Sequence, residues 1–290
     1  MQRRTFLRAL GCVPALAMPA RAAAAPQTGT KGRHTRHGRG VGIAFGGGSI
    51  HGIAHVGVLK AFIEKELPIH FIAGTSVGAI IGALVAARLP YVEIEQIARR
   101  IEWPGLSSLA WSGKGLMQNA KLRSMVDTAL GDRRIEQLPI PFGVVATDVA
   151  TGERVVIRKG SVGTAVEASS AIPVLFVPVK IDGRDLIDGG LTEPVPVIAV
   201  REMGADIVIG IDVAFRPAEE PVQGMAGVAF QTMHIMANAL IKEQIGRADV
   251  AIRMNLHQFI GNDHSHEQLI AAGHAATMRE WPKIASMLAG

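Results

Sequence analysis

Gly74-Thr75-Ser76-Val77-Gly78 has the form G-x-S-x-G. Glycines on either side of a serine let the chain turn sharply and leave the hydroxyl exposed at a helix start, where it can attack an ester carbonyl. In a chain with 33 glycines the pattern is weak alone, since about 0.1–0.2 matches arise by chance. Its context sharpens it: Ile69–Ala73 reads as a strand and Val77–Arg88 as a buried helix. The rival reading is a close-packed glycine helix capped by Ser76.

Acyl transfer also needs donors for an oxyanion and a base for the serine. Phe45-Gly46-Gly47-Gly48-Ser49-Ile50-His51-Gly52 leaves one strand and enters one helix, and its consecutive glycines let backbone N–H groups point at a small anion. A dinucleotide loop needs Gly or Ala where this chain has His51, and no G-K-[ST] follows; no nucleotide cofactor is expected. For the base, His51, His55 and His70 lie early and His234, His257, His264, His266 and His274 late, none in an evident strand-end loop with an acid. The tight feature is Leu186-Ile187-Asp188-Gly189-Gly190. An Asp ending a strand, followed by two glycines, can bring its carboxylate onto a serine directly, and burial makes it a better base. Asp182 reads as turn chemistry and Asp185 as a strand edge.

From Val41 onward, short apolar runs alternate with helical stretches, including strands near 41–45, 142–147, 207–211 and 250–254 and long helices near 225–246 and 265–287. This alternation predicts an α/β fold with a mostly parallel sheet covered by helices on both faces, as one domain over 41–290. Phe71–Ala87 lacks charge and nears spanning length, but the break at Gly74–Gly78 favours a strand and a buried helix over a membrane span. Residues 102–120 read as irregular, with Trp103, Leu106, Leu109, Trp111 and Leu116 able to form a lid or interfacial patch.

The formal charge of +5 is misleading. Residues 1–40 hold eight of the 30 bases and no acid, so residues 41–290 carry 22 bases against 25 acids. A body with a net charge of −3 and one Tyr has no footprint for nucleic acid. Residues 1–25 have the charged, apolar and small-residue layout of an export signal. The run Arg3-Arg4-Thr5-Phe6-Leu7-Arg8 resembles a twin-arginine signal, which predicts a bacterial periplasmic location. Residues 26–40 read as a basic flexible linker. Cys12 is the single cysteine, and cleavage near Ala25 would remove it, so neither disulfides nor Cys-ligated metals are expected.

The glycine-rich turn, GTSVG and DGG, in that order, resemble the bacterial branch of the patatin-like phospholipases. The intervening text agrees, with Leu138-Pro139-Ile140-Pro141-Phe142, Ala146-Thr147-Asp148, Ala168-Ser169-Ser170-Ala171-Ile172-Pro173 and Leu269-Ile270-Ala271-Ala272-Gly273. The resemblance covers roughly residues 41–275. It implies a three-layer α/β/α sandwich and a Ser76–Asp188 dyad that cleaves fatty acyl esters of phospholipids or lysophospholipids without His, metal or cofactor. Gly47 and Gly48 would form the oxyanion loop, Gly74 and Gly78 the elbow. His51 stands where the family usually has Arg or Lys; it is expected to support the loop when protonated or through a hydrogen bond when neutral. A lipid or ester substrate and transient contact with a membrane surface complete the expectation. A lipid-binding envelope protein of weak or lost activity on the same scaffold is the alternative. The late histidines read as solvated loop rather than metal ligands, and Met225, Met233, Met236 and Met254 as core packing rather than an acyl pocket.

Overall fold

The computed structural model describes residues 39–101, 108–112, 115–214, 224–254, 256 and 266–289. The expected export signal and nearly all of the linker lie outside these residues, as do Trp103, Leu106, His257 and His264. In chain order, the first half comprises β1 (Val41–Phe45), α1 (Ala54–Glu64), β2 (Phe71–Thr75), α2 (Val77–Ala86), α3 (Tyr91–Arg99), β3 (Ser108–Ser112), β4 (Gly115–Gln118), α4 (Ala120–Leu130), β5 (Phe142–Asp148) and β6 (Arg154–Ile157). Next come α5 (Val162–Ser169), β7 (Val179–Ile181), β8 (Arg184–Asp188), α6 (Val197–Glu202), β9 (Ile207–Asp212), α7 (Gly224–Gln244), β10 (Val250–Arg253) and α8 (His266–Ala289).

Strands β10-β9-β1-β2-β5 form a parallel sheet, and β6, β8 and β7 extend it antiparallel beyond β5. Strands β1, β5 and β9 are buried on both faces, but unequally. Val41, Ile43 and Phe45 of β1 and Ile207, Ile209 and Ile211 of β9 point into the larger core, which also takes in α1, α2, α4, α5 and α8. Ala44 and Ala73 point the other way, against Val197, Val200 and Ile241 of α6 and α7. Small residues on that face let α6 approach closely: a Cβ on Gly42 would lie 2.2 Å from Val200. The result is the expected three-layer sandwich.

Several boundaries shift for local reasons. Residues 102–120 are not wholly irregular, because β3 and β4 form an antiparallel hairpin. Met117 of β4 exchanges backbone hydrogen bonds with Leu175 and Val177. Strand β7 begins only at Val179, after Pro178, which cannot donate to a ladder. The Asp182-Gly183 turn has φ of 49° and 79°, both positive, as a two-residue hairpin requires. Among the described residues, no helix is long and apolar enough to cross a membrane.

Candidate active site

The register of β5 brings two distant strands to one point. β6 pairs with Val144–Thr147 of β5, while β2 pairs with Phe142–Val145 and β8 with Ala146–Asp148. Since β6 occupies one edge throughout, β2 and β8 share the other edge and meet end to end. Thr75 sits opposite Val145, and Asp188 opposite the next residue, Ala146. Ser76 follows Thr75 directly, so the sheet itself sets the serine against the aspartate.

Ser76 has φ 54° and ψ −125°, a strained conformation for a side chain-bearing residue. Neighbouring glycines make the turn sterically feasible. A Cβ on Gly74 would lie 2.4 Å from the Ala79 Cα, and one on Gly78 would lie 2.1 Å from the Phe45 carbonyl oxygen. Ser76 occupies the N-cap position of α2, but its side chain makes no capping bond. It faces the Asp188 carboxylate instead, whose pKa it helps to lower. That carboxylate accepts from the Gly190 N–H at 2.7 Å. Burial pushes the Asp188 pKa up to about 6, opposed by the Gly190 N–H and the Ser76 side chain. A carboxylate of this kind can take a hydroxyl proton near neutral pH.

Ser169, the last residue of α5, pins the junction. Its hydroxyl accepts from the Ser76 N–H at 2.8 Å and donates to the Val145 carbonyl at 2.6 Å. Thr147 donates to the Asp188 carbonyl at 3.0 Å, tying β5 to the end of β8. A Cβ on Gly189 would lie 2.2 Å from the Val145 carbonyl oxygen, so the chain leaves β8 hard against β5.

The glycine loop lies over Ser76, with the Cβ position of Gly47 3.5 Å from the Ser76 Cβ. Gly47, expected as an oxyanion donor, instead commits its N–H to the Pro194 carbonyl at 2.9 Å. Among the described residues, the N–H groups of Gly48 and of Val77, which opens α2, make no backbone hydrogen bond. His51 is buried in the 3-10 turn Ser49–Ile53, outside the pocket lining, and its N–H donates to the Gly48 carbonyl at 3.0 Å. His55, one turn on, places Nε2 2.8 Å from the Gly46 carbonyl and packs edge-on against Phe45. Burial lowers its pKa to about 4, so the ring is neutral and donates through Nε2.

Ser76 and Asp188 open into a pocket of about 410 Å³. Its walls are largely apolar: Ile50, Ile172, Leu175 and Phe176 on one side, and Phe230, Met233, Ala237 and Ile241 of α7 on the other. The methionines do not share one fate. Met254 is in the core, Met233 lines the pocket, and Met225 and Met236 are exposed. The structure thus unites Ser76, Asp188 and the loop of Gly47 and Gly48. It gives Ser169 a role that the sequence does not show, and gives His55, considered above only as a base, a bond to the glycine loop; their partners lie on backbone atoms that no motif reports. Among the described residues there is no group of three or more His, Cys, Asp or Glu side chains able to hold a metal.

Known proteins resemble this chain in sequence and in fold. The patatin-like phospholipase family matches residues 43–201, from β1 through most of α6 and including Gly47, Ser76 and Asp188. An uncharacterised NTE family protein of Mycobacterium tuberculosis is 37% identical over 175 residues, which is 59% of this chain and 48% of that protein. Patatin-like phospholipase domain-containing protein 7 of Mus musculus is 32% identical over 189 residues, 62% of this chain and 14% of that protein. Lysophospholipase NTE1 of Eremothecium gossypii is 30% identical over 182 residues, 61% and 12% of the two chains. The chain thus spans about half the length of the mycobacterial relative and much less of the other two. Among solved structures, VipD from Legionella pneumophila shares the fold, with a TM-score of 0.56 at 15% identity over 86% of this chain and 67% of that one. With the sandwich, the serine elbow and the strand-end aspartate in place and more than half the chain matched, the protein belongs to the patatin-like phospholipase family.

Proposed function

We propose that the protein is a serine acyl hydrolase that cleaves fatty acyl esters of phospholipids or lysophospholipids. The observation that carries this reading is the buried Asp188 carboxylate, its pKa raised to about 6 by burial, beside the Ser76 side chain in the lining of one largely apolar pocket. Asp188 takes the Ser76 proton as the oxygen attacks the ester carbonyl, and the carbonyl oxygen becomes an oxyanion. The N–H groups of Gly48 and Val77, at the positive end of α2, stabilise that charge. Gly47 shapes the loop, through its bond to Pro194, and is not a donor. Collapse expels the alcohol, which leaves with the proton held by Asp188, and an acyl-Ser76 ester remains. Asp188 then takes a proton from water as the water attacks, and the fatty acid is released with Ser76 restored. The pocket walls of α7 and the Ile172–Phe176 segment suit an acyl chain.

His51 acts on the loop through its backbone bond to Gly48, from a buried position. The arginine pair near the N-terminus supports export to the periplasm, which fractionation of cells carrying the full chain or an Arg3→Lys/Arg4→Lys variant would test. The direct test of the chemistry is labelling with a fluorophosphonate serine probe. The protein should label and the Ser76→Ala variant should not; absence of label on folded protein would move the reading to a lipid-binding protein without turnover.

A further inference from the structure

Helix α7 serves three surfaces. One flank lines the pocket of Ser76 and Asp188. Another borders a second cavity of about 650 Å³, where Lys242 meets Asp212 and Arg253 at the ends of β9 and β10. Its outward face carries Met225, Val228, Thr232, Ile235, Ala239 and Lys242, spaced alternately three and four residues apart, which puts them on one stripe. Met225 is 91% exposed, Val228 56%, Ile235 55% and the neighbouring Met236 54%. No charged residue occurs from Gly224 to Ile241. The polar group amid the stripe, the Thr232 hydroxyl, donates internally to the Val228 carbonyl at 2.8 Å. Ile50, on the pocket lining, is exposed as well.

The polar end of the stripe has a sign. Glu243, the one acid on α7, is paired with Arg247 at 2.8 Å. Lys242 and Arg253 are exposed and make no ion pair among the described residues. The buried acid beside them, Asp212, accepts from the Ala214 N–H at 3.0 Å. Among the described residues, Lys242, Arg247 and Arg253 against Glu243 and the buried Asp212 leave this end with one excess positive charge, on a body of net charge −3.

We propose that α7 docks the protein onto an anionic phospholipid bilayer. The stripe from Met225 to Ala239 enters the interface, and Lys242 and Arg253 take lipid phosphates at its C-terminal end. A charge-free stripe beside a pocket mouth fits a lipid surface, and the unpaired cations specify its charge. The inference builds on the reading of the pocket as a lipid ester site, but it is measured without turnover.

The test uses the Ser76→Ala protein, so that vesicles stay intact. It is sedimented with vesicles of phosphatidylcholine alone and of phosphatidylcholine mixed with phosphatidylglycerol. The protein should partition onto the mixed vesicles. Val228→Glu with Ile235→Glu should lower that partitioning at least about tenfold. Lys242→Glu with Arg253→Glu should lower it about tenfold on mixed vesicles only, and added salt should do the same. With Ser76 restored, both double variants should turn over a soluble short-chain ester like the parent, which shows that the fold is intact. Absence of vesicle binding, or binding indifferent to both double variants, overturns the proposal. So does a dimer in ultracentrifugation that the Val228→Glu/Ile235→Glu change dissociates, since the stripe would then belong to a second copy. Vesicle binding without ester turnover would sink the hydrolase reading alone, and turnover without vesicle binding the docking proposal alone.

Discussion

Asp188 and Glu193 stand close together in the chain, just past the same strand, and both are buried. Burial raises the pKa of each. Their partners divide them. Glu193 receives the Arg154 guanidinium at 2.8 Å and the N–H groups of Ile198 at 2.6 Å and Ala199 at 3.1 Å, so it caps α6 as a compensated anion. Among the described residues, Asp188 meets neutral groups, the Gly190 N–H at 2.7 Å and the Ser76 side chain, and no cation. The difference teaches that desolvation does not by itself make a base. On the proposed mechanism a buried carboxylate becomes one when its remaining partner carries a transferable proton, whereas a cation makes it a structural post.

The strongest way to break this contrast is to neutralise each acid in turn. Asp188→Asn should lower ester turnover by about 10⁴-fold with the fold preserved. Glu193→Gln should leave turnover per folded molecule within a few-fold of the parent. Its cost should fall on stability, about 1–3 kcal/mol in a denaturant titration, as Arg154 keeps Glu202 but loses its buried partner. Equal loss of turnover in both variants would erase the distinction.

The second effect is a pH signature. A carboxyl whose folded pKa is raised favours the folded state in acid, and that contribution is lost as pH rises from the unfolded value near 4 through about 6. Ionised Asp188 therefore costs about 3 kcal/mol above pH 6. Asp188→Asn should be more stable than the parent at pH 8, by up to that amount, and no more stable at pH 4. The parent's kcat/KM should rise through pH 6 and then level off. His55 carries the opposite sign. Its pKa is lowered to about 4, so its contribution is present above about 6.5 and lost as pH falls toward 4. Acid should thus loosen the glycine loop while relieving Asp188.

Smaller effects sharpen the roles of the props. Ser169→Ala leaves the Ser76 N–H and the Val145 carbonyl without their bridge, so kcat should fall about tenfold to a hundredfold while KM hardly changes. A matched change in KM would make Ser169 a part of the substrate site instead. His55→Leu removes one donor to Gly46 and should cost about 1 kcal/mol, with a modest loss of turnover.

The motifs are legible in the sequence because their requirements are local. A strained elbow needs glycine where Gly78 meets the Phe45 carbonyl, and a chain hugging β5 needs glycine at 189. The alternation of strands and helices is legible because each element carries its own periodicity. The fate of Gly47 is not, since its N–H is taken by a carbonyl far along the chain, at Pro194. Nor is the role of Ser169, which depends on where α5 ends against β5, or the parting of the methionines, which depends on how α7 is rolled. These are long-range facts, and residue type alone does not encode them.

The end-to-end meeting of β2 and β8 along β5 has a consequence for biogenesis. Ser76 and Asp188 have no local means of finding one another; both ladders of β5 must form first, and the second closes late in the chain. A ribosome-bound or half-folded chain therefore carries its reactive serine without its partner. The proposed hydrolysis then waits on completion of the sheet, so recovery of fluorophosphonate labelling during refolding should lag behind recovery of helical circular dichroism.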